Sequence, residues 1–278
     1  MATQQPILAI QRLTKHYGGV KALTDADFGL QPAEHAAIVG DNGAGKSTFV
    51  RLITGVEQPN AGQILLDGRP VSFNSPLDAR DQGIETVYQT LALAEDLDVP
   101  ANIFLGREIT RFNLGPLSVL NHAAMREQSN AMLATTGVKI QDMSETLRGM
   151  SGGQRQCVAI ARAAGFAQKL IILDEPTAAL GVAETARVEL IIQGLKARGV
   201  PLILISHNLR QVFDLVDRIW VFRQGRIICN VLRRESNPQE IVGLITGAID
   251  PQNLAHANLP GATPGSHVAP TARALETH

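Results

Sequence analysis

The segment Gly40-Asp41-Asn42-Gly43-Ala44-Gly45-Lys46-Ser47-Thr48 constrains this chain more than any other part of it. It fits the pattern G-x-x-x-x-G-K-[ST] and sits between a short apolar run, Ala36 to Val39, and a helix expected to begin near Lys46. Glycines at these positions let successive backbone N–H groups curl around phosphate oxygens, and the helix N-terminus adds a partial positive charge. Lys46 is then placed to reach the β- and γ-phosphates of a bound triphosphate, and the Ser47 hydroxyl to ligate Mg²⁺. Chance yields the pattern in about one chain per hundred of this length, and the strand–loop–helix context makes it rarer still.

The flanking sequence supplies an acidic partner. Leu170 to Leu173 is a continuous apolar run, as expected of a strand buried on both faces of a parallel sheet, and it ends in Asp174-Glu175. Two carboxylates there lie at the strand's C-terminal edge, where open α/β sheets bind ligands. Asp174 is expected to hold Mg²⁺, largely through water, and Glu175 to polarise the attacking water as a general base. A third element is Met150-Ser151-Gly152-Gly153-Gln154, followed by a helix expected over Arg155 to Ala164. Ser151 can cap that helix, and the Gly-Gly backbone can approach an anion closely.

The remaining pattern gives the organisation. Ile7–Arg12, Asp27–Leu30, Gln63–Leu66 and Ile84–Tyr88 read as strands, the third running into a turn at Asp67-Gly68. From about Asn102 to Leu147 the texture turns helical, with Asn121 as a cap and Gly137 as a stop. Val188, Ile191, Ile192 and Leu195 follow helical spacing, Leu202–Ile205 is a second buried strand, and Gln224-Gly225 joins two more strands in a hairpin. From Pro251 onward, four Pro, six Ala and three His occur without periodicity, so a disordered tail is expected.

Composition removes several classes of function. Of the 278 residues, 45% are hydrophobic and 18% charged; 25 Lys and Arg stand against 26 Asp and Glu, for a net charge of −1. That balance argues against a nucleic-acid partner, which calls for a basic surplus. Two cysteines, Cys157 and Cys229, make neither a disulfide framework nor a metal cluster. No window approaches the roughly 18–20 apolar residues needed to span a bilayer, and the first residues lack the pattern of a signal peptide.

The order of phosphate loop, Gln89, Ser-Gly-Gly-Gln, Asp-Glu and His207 closely resembles the ATP-binding subunit of ABC transporters, over about residues 5 to 247. The resemblance implies an α/β P-loop NTPase fold with a RecA-like core, an N-terminal antiparallel β subdomain and an inserted helical subdomain at about 92–165. The tail would be 248–278. It also implies a head-to-tail dimer, isologous and twofold, with each ATP between one subunit's phosphate loop and the other's signature loop. Ser151, Gly152, Gly153 and Gln154 would then meet the γ-phosphate held by the partner copy. Carried over residue by residue, Tyr17 matches the aromatic that stacks on adenine, and Gln89 the glutamine that senses Mg²⁺ and water and links to the membrane subunit. His207 matches the switch histidine at the γ-phosphate.

Two positions depart from the family pattern. Met150 opens the signature in place of Leu, a volume-conserving change. Gly181 stands where many members carry an Asp that bonds across the dimer, which bears on coupling between sites and removes no catalytic group. Residues 98 to 108, the stretch Met150 to Arg162 and Ala178 to Gly181 are similar to bacterial importers of simple sugars, the single-domain fructose/ribose type. The implied partners are a second copy or a paralogous ATPase subunit, a polytopic membrane permease and, indirectly, a periplasmic sugar-binding protein. The implied place is the cytoplasmic face of the inner membrane. A soluble ABC-type ATPase or a nucleotide switch without a transport partner is the alternative.

Overall fold

A computed structural model describes residues 5–112, 118–138 and 140–259. In chain order the strands and helices are β1 (Leu8–Tyr17), β2 (Val20–Leu30), β3 (His35–Gly40), α1 (Lys46–Ile53), β4 (Ala61–Leu66), β5 (Arg69–Val71), α2 (Pro76–Asp81) and β6 (Ile84–Val87). There follow α3 (Val99–Ile103), β7 (Thr110–Phe112), β8 (Val119–Leu120), α4 (His122–Thr135) and α5 (Gly152–Phe166). The rest are β9 (Leu170–Asp174), α6 (Val182–Ala197), β10 (Leu202–Ile205), α7 (Leu209–Leu215), β11 (Arg218–Arg223), β12 (Arg226–Leu232) and α8 (Pro238–Thr246).

Two sheets carry the architecture. One is antiparallel, in the order β2-β1-β4-β5. The other runs β12-β11-β3-β10-β9-β6, parallel throughout except for the antiparallel edge strand β12. The apolar runs of β9 and β10 are fully buried because both faces of this sheet are covered. Alternate residues serve opposite cores. Ala36, Ile38, Ile172 and Ile203 pack with α1 and the antiparallel sheet. Ala37, Val39, Ile171 and Leu204 pack with α5, α6, α7 and α8.

The helical insertion forms a third core of its own, where Val99 and Ile103 of α3 and Met125 and Leu133 of α4 pack on Val158 of α5. Asn121 caps α4 through its side-chain oxygen, as expected, and Gly137 follows the helix end with φ 71°. The insertion is not purely helical, for β7 and β8 pair as a short antiparallel ribbon. Two- and three-residue strands with exposed side chains leave no alternation for a sequence reading to find.

The expected tail needs correction at its start. The chain stays built through residues 248–259: Pro251 is buried, and Asn258 exchanges backbone hydrogen bonds with Asn230 of β12 at 2.8 and 2.9 Å. A 3₁₀ turn and a single bridge hold this segment, and neither has a periodic signature. The rest of the tail, 260–278, lies outside the described residues. Among the described residues no helix is long and apolar enough to cross a membrane.

Candidate functional site

The parallel strands deliver the chemistry-bearing residues to one edge. β3 ends at Gly40 and opens the phosphate loop, β9 ends at Asp174, and β10 ends two residues before His207. Ile205 pairs with Asp174 on one side and Ile38 on the other, so register alone brings the three strand ends level. A cleft of about 910 Å³ opens there. Lys46, Ser47 and Thr48 line it at the start of α1, together with Gln89, Asp174, Glu175 and His207.

The phosphate loop is shaped by close approach. Gly45 has φ 101°, and a Cβ at that position would lie 2.8 Å from the Ala22 carbonyl oxygen. The β11–β12 hairpin closes the other side, with the Gly225 N–H donating to the Ala44 carbonyl at 3.1 Å. The Lys46 ammonium donates to the Gly40 carbonyl at 2.7 Å and the Asp41 carbonyl at 2.9 Å. Burial lowers its pKa, while Glu175, Asp41 and Asp174 oppose that shift. Asp174 moves the other way: burial raises its pKa, Glu175 raises it further, and Lys46 pulls it down.

Glu175 is held in an unusual backbone conformation, with φ 50° for a residue that carries a Cβ. Its N–H donates to the Ile205 carbonyl at 2.9 Å, which ties it to β10. Its Oε2 lies 2.8 Å from Nδ1 of His207, whose ring is otherwise largely exposed. The carboxylate and imidazole therefore form a pair at the cleft, with most of the ring open to solvent.

Two expected groups lie apart from this cleft. Tyr17 stands at its margin near Thr48 and is not among the lining side chains. Its phenol donates to Glu57, which also pairs with Arg51 at 3.0 Å and Lys15 at 3.5 Å. The Lys15 ammonium sits 5.3 Å from the ring centroid. Ser151 to Gln154 likewise do not reach the Lys46 cleft of their own chain. They form a capping box, with the Gln154 N–H donating to Ser151 Oγ at 3.2 Å and the Ser151 N–H to Gln154 Oε1 at 2.8 Å. Val20, Lys21, Ala22 and Gln224 line the cleft without having been singled out from sequence. Gln224-Gly225 was legible as a hairpin, but nothing local says that the hairpin leans on a loop some 180 residues earlier.

Comparison with known proteins decides the family. A family model described as "ABC transporter" matches residues 23–178. The fructose import ATP-binding protein FrcA of Rhizobium meliloti is 46% identical over 257 residues, covering 91% of this chain and 99% of that protein. The chain belongs to the ABC transporter family. As a member it is an ATP-binding, ATP-hydrolysing transport subunit.

Other relatives of this ABC subunit carry related names. The xylose/arabinose import ATP-binding protein XylG of Sulfolobus acidocaldarius is 42% identical, covering 86% of this chain and 94% of its own. The ribose import ATP-binding protein RbsA 2 of Streptomyces avermitilis is 40% identical over 80% of this chain but only 43% of its own length. Among solved structures, a nucleotide-free ATP-binding cassette from an ABC transporter matches with a TM-score of 0.73 at 23% identity, covering 87% of this chain and 96% of that one. At that identity the likeness speaks to the fold alone, and the fold agrees: a parallel core, an antiparallel β subdomain and a helical insertion.

Proposed function

We propose that this ABC subunit drives uptake of a simple sugar by closing on ATP as a head-to-tail dimer. The observation that carries the reading is the 46% identity to a fructose import ATP-binding protein across nearly both full lengths. The names of the xylose/arabinose and ribose relatives support the same substrate class. In each half-site Lys46 releases the Gly40 and Asp41 carbonyls and takes phosphate oxygens instead, with the loop's N–H groups around them. Glu175 accepts a proton from the attacking water, and His207 orients the carboxylate while offering its other nitrogen to the γ-phosphate. Tyr17 lies beside the adenine from the rim. Ser151, Gly152, Gly153 and Gln154 complete the site from the partner copy, which accounts for their distance from Lys46 within one chain.

The residues present suit Mg²⁺. Ser47, Gln89 and Asp174 offer only oxygen donors, and no group of three or more His, Cys, Asp or Glu among the described residues could hold a metal unaided. A hard cation shared between one carboxylate, a hydroxyl and nucleotide phosphates fits that set. Bound there, Mg²⁺ would neutralise charge on the β- and γ-phosphates.

The mechanical output is a polytopic membrane permease, with the surface around Gln89 and the helical insertion moving its cytoplasmic loops. The subunit sits on the cytoplasmic face of the membrane, and a periplasmic binding protein delivers the sugar. Glu175→Gln tests the chemistry: it is expected to abolish turnover and trap an ATP-bound dimer on gel filtration. Wild-type turnover in that variant would overturn the role of Glu175. Co-purification with a polytopic membrane protein tests the coupling, and repeated failure would favour a nucleotide switch without a transport partner.

A further inference from the structure

One carboxylate ties the signature loop to the start of α6. Glu184 Oε1 accepts from the Ser151 hydroxyl at 2.8 Å and from the Gly153 N–H at 3.2 Å. Its Oε2 accepts from the Gly181 N–H at 3.3 Å. The Ser151 hydroxyl and the Gly153 N–H are the donors an anion needs at this helix N-terminus, where the partial positive charge of α5 adds to them. Gly153 admits the carboxylate, because a Cβ there would lie 2.6 Å from the Glu184 carboxyl carbon. Gly181 suits it as well. A Cβ at 181 would lie 3.8 Å from Glu184 Oε2, so an acidic side chain would set a second carboxylate beside the first.

We propose that Glu184 is an internal occupant of the signature loop: it holds within its own chain the two donors that the partner-bound nucleotide requires, and dimer closure exchanges carboxylate for phosphate. This rests on the head-to-tail reading given above. The exchange has a direction. A terminal phosphate brings more charge and more acceptor oxygens than a carboxylate, so ATP displaces Glu184 when the partner delivers it. The displaced carboxylate keeps the Gly181 N–H within reach and Arg187 one turn along its own helix. After hydrolysis the γ-phosphate is gone, and Glu184 re-enters the loop and favours reopening. Gly181 is thereby released from the signature loop only while ATP is engaged.

The test measures ATP-driven dimerisation by gel filtration with light scattering in a Glu175→Gln background. Glu184→Ala is added to one sample and Glu184→Gln to another. With the competing carboxylate removed, Glu184→Ala is expected to move the ATP midpoint about three- to tenfold lower, the range set by one net hydrogen bond. Glu184→Gln keeps an acceptor oxygen and the helix cap but loses the charge, so its shift is smaller and in the same direction. ATP affinity measured at monomer-dilute protein with a fluorescent nucleotide is expected to be unchanged in both. Midpoints that stay put or move to higher ATP in both variants overturn the proposal. If Glu184→Ala does not fold, the glutamine variant decides alone. A Glu175→Gln parent that fails to dimerise at any ATP concentration overturns the head-to-tail reading itself, a result distinct from an unmoved midpoint.

Discussion

At Gly45 the backbone has φ 101° and no room for a side chain, with a Cβ only 2.8 Å from a backbone oxygen that cannot swing away. Gly45→Ala is therefore expected to distort the phosphate loop itself, costing about 1–3 kcal/mol of local strain and lowering ATP affinity at least about tenfold. Calorimetric titration with ATP checks this, and circular dichroism shows whether the fold survives. His35 offers a second prediction, in pH. Its ring is fully buried at the start of β3, with Nε2 3.0 Å from the Val200 carbonyl. Burial first, and Lys196 second, lower its pKa from 6.5 to about 4. Between those values the unfolded chain binds the proton that the folded chain refuses. Stability is thus full above about pH 6.5 and falls as pH drops toward 4, by about 3 kcal/mol at the bottom of the window. Urea midpoints at several pH values check it, and His35→Gln, which keeps a donor but cannot charge, is expected to flatten the slope. The contrast between these residues explains what sequence could show. Gly45 speaks through its immediate neighbours. His35 is defined by Val200 and Asp217, 165 and 182 residues away, and no local pattern carries such a contact.

Among elements, those with a strong period or an uninterrupted apolar run were legible: β9, β10 and α6 fall where the pattern puts them. β1 runs to Tyr17, five residues beyond its expected end at Arg12. Its register against β2 shifts between Ile10 and Leu13 and again before His16, and Arg12 and Asp25 have φ of 48° and 45°. A bulged strand breaks the two-residue alternation that marks a strand, so its second half carries no signal. Short helices such as α2 and α7 escape for a related reason, since one or two turns cannot display a period. The loop after Gln89 shows how an element can be fixed without any periodicity. Asn102, wholly buried in α3, accepts from the Ala94 N–H at 2.8 Å and donates toward the carbonyls of Ala94, Leu97 and Asp98 at 2.9 to 3.1 Å. Asn102→Ala leaves these partly buried groups without their partner and is expected to cost about 1–3 kcal/mol. Urea unfolding gives the loss, and hydrogen exchange at Ala94 is expected to speed up with it. Asn102→Asp supplies the acceptor but not the donors, so it is not expected to restore the wild-type value.

For the whole molecule the question is which surface is left for a twin. The three cores account for the apolar side chains inside, and α6 begins with one that they leave out. Val182, its first residue, is 90% exposed, and Leu190 on the same helix is 66% exposed. Single exposed apolar residues need no explanation. Val182, however, directly follows Gly181, the position at which family members commonly bond across the dimer, and lies two residues from the carboxylate that occupies the signature loop. In the proposed isologous pair, residue i of one copy meets residue j of the other and j meets i, so a substitution there acts twice. Val182→Asp puts two charges into that contact while leaving the monomer unharmed, because the side chain touches no core and an acidic residue suits the first turn of a helix. In the Glu175→Gln background it is expected to raise the ATP midpoint for dimerisation at least about tenfold, with monomer stability unchanged within about 0.5 kcal/mol. Its direction is opposite to that expected for Glu184→Ala, two residues away on the same helix turn. A general loosening of α6 would move both midpoints the same way. Light scattering across an ATP titration of the two variants therefore separates a lost contact between subunits from a released contact within one.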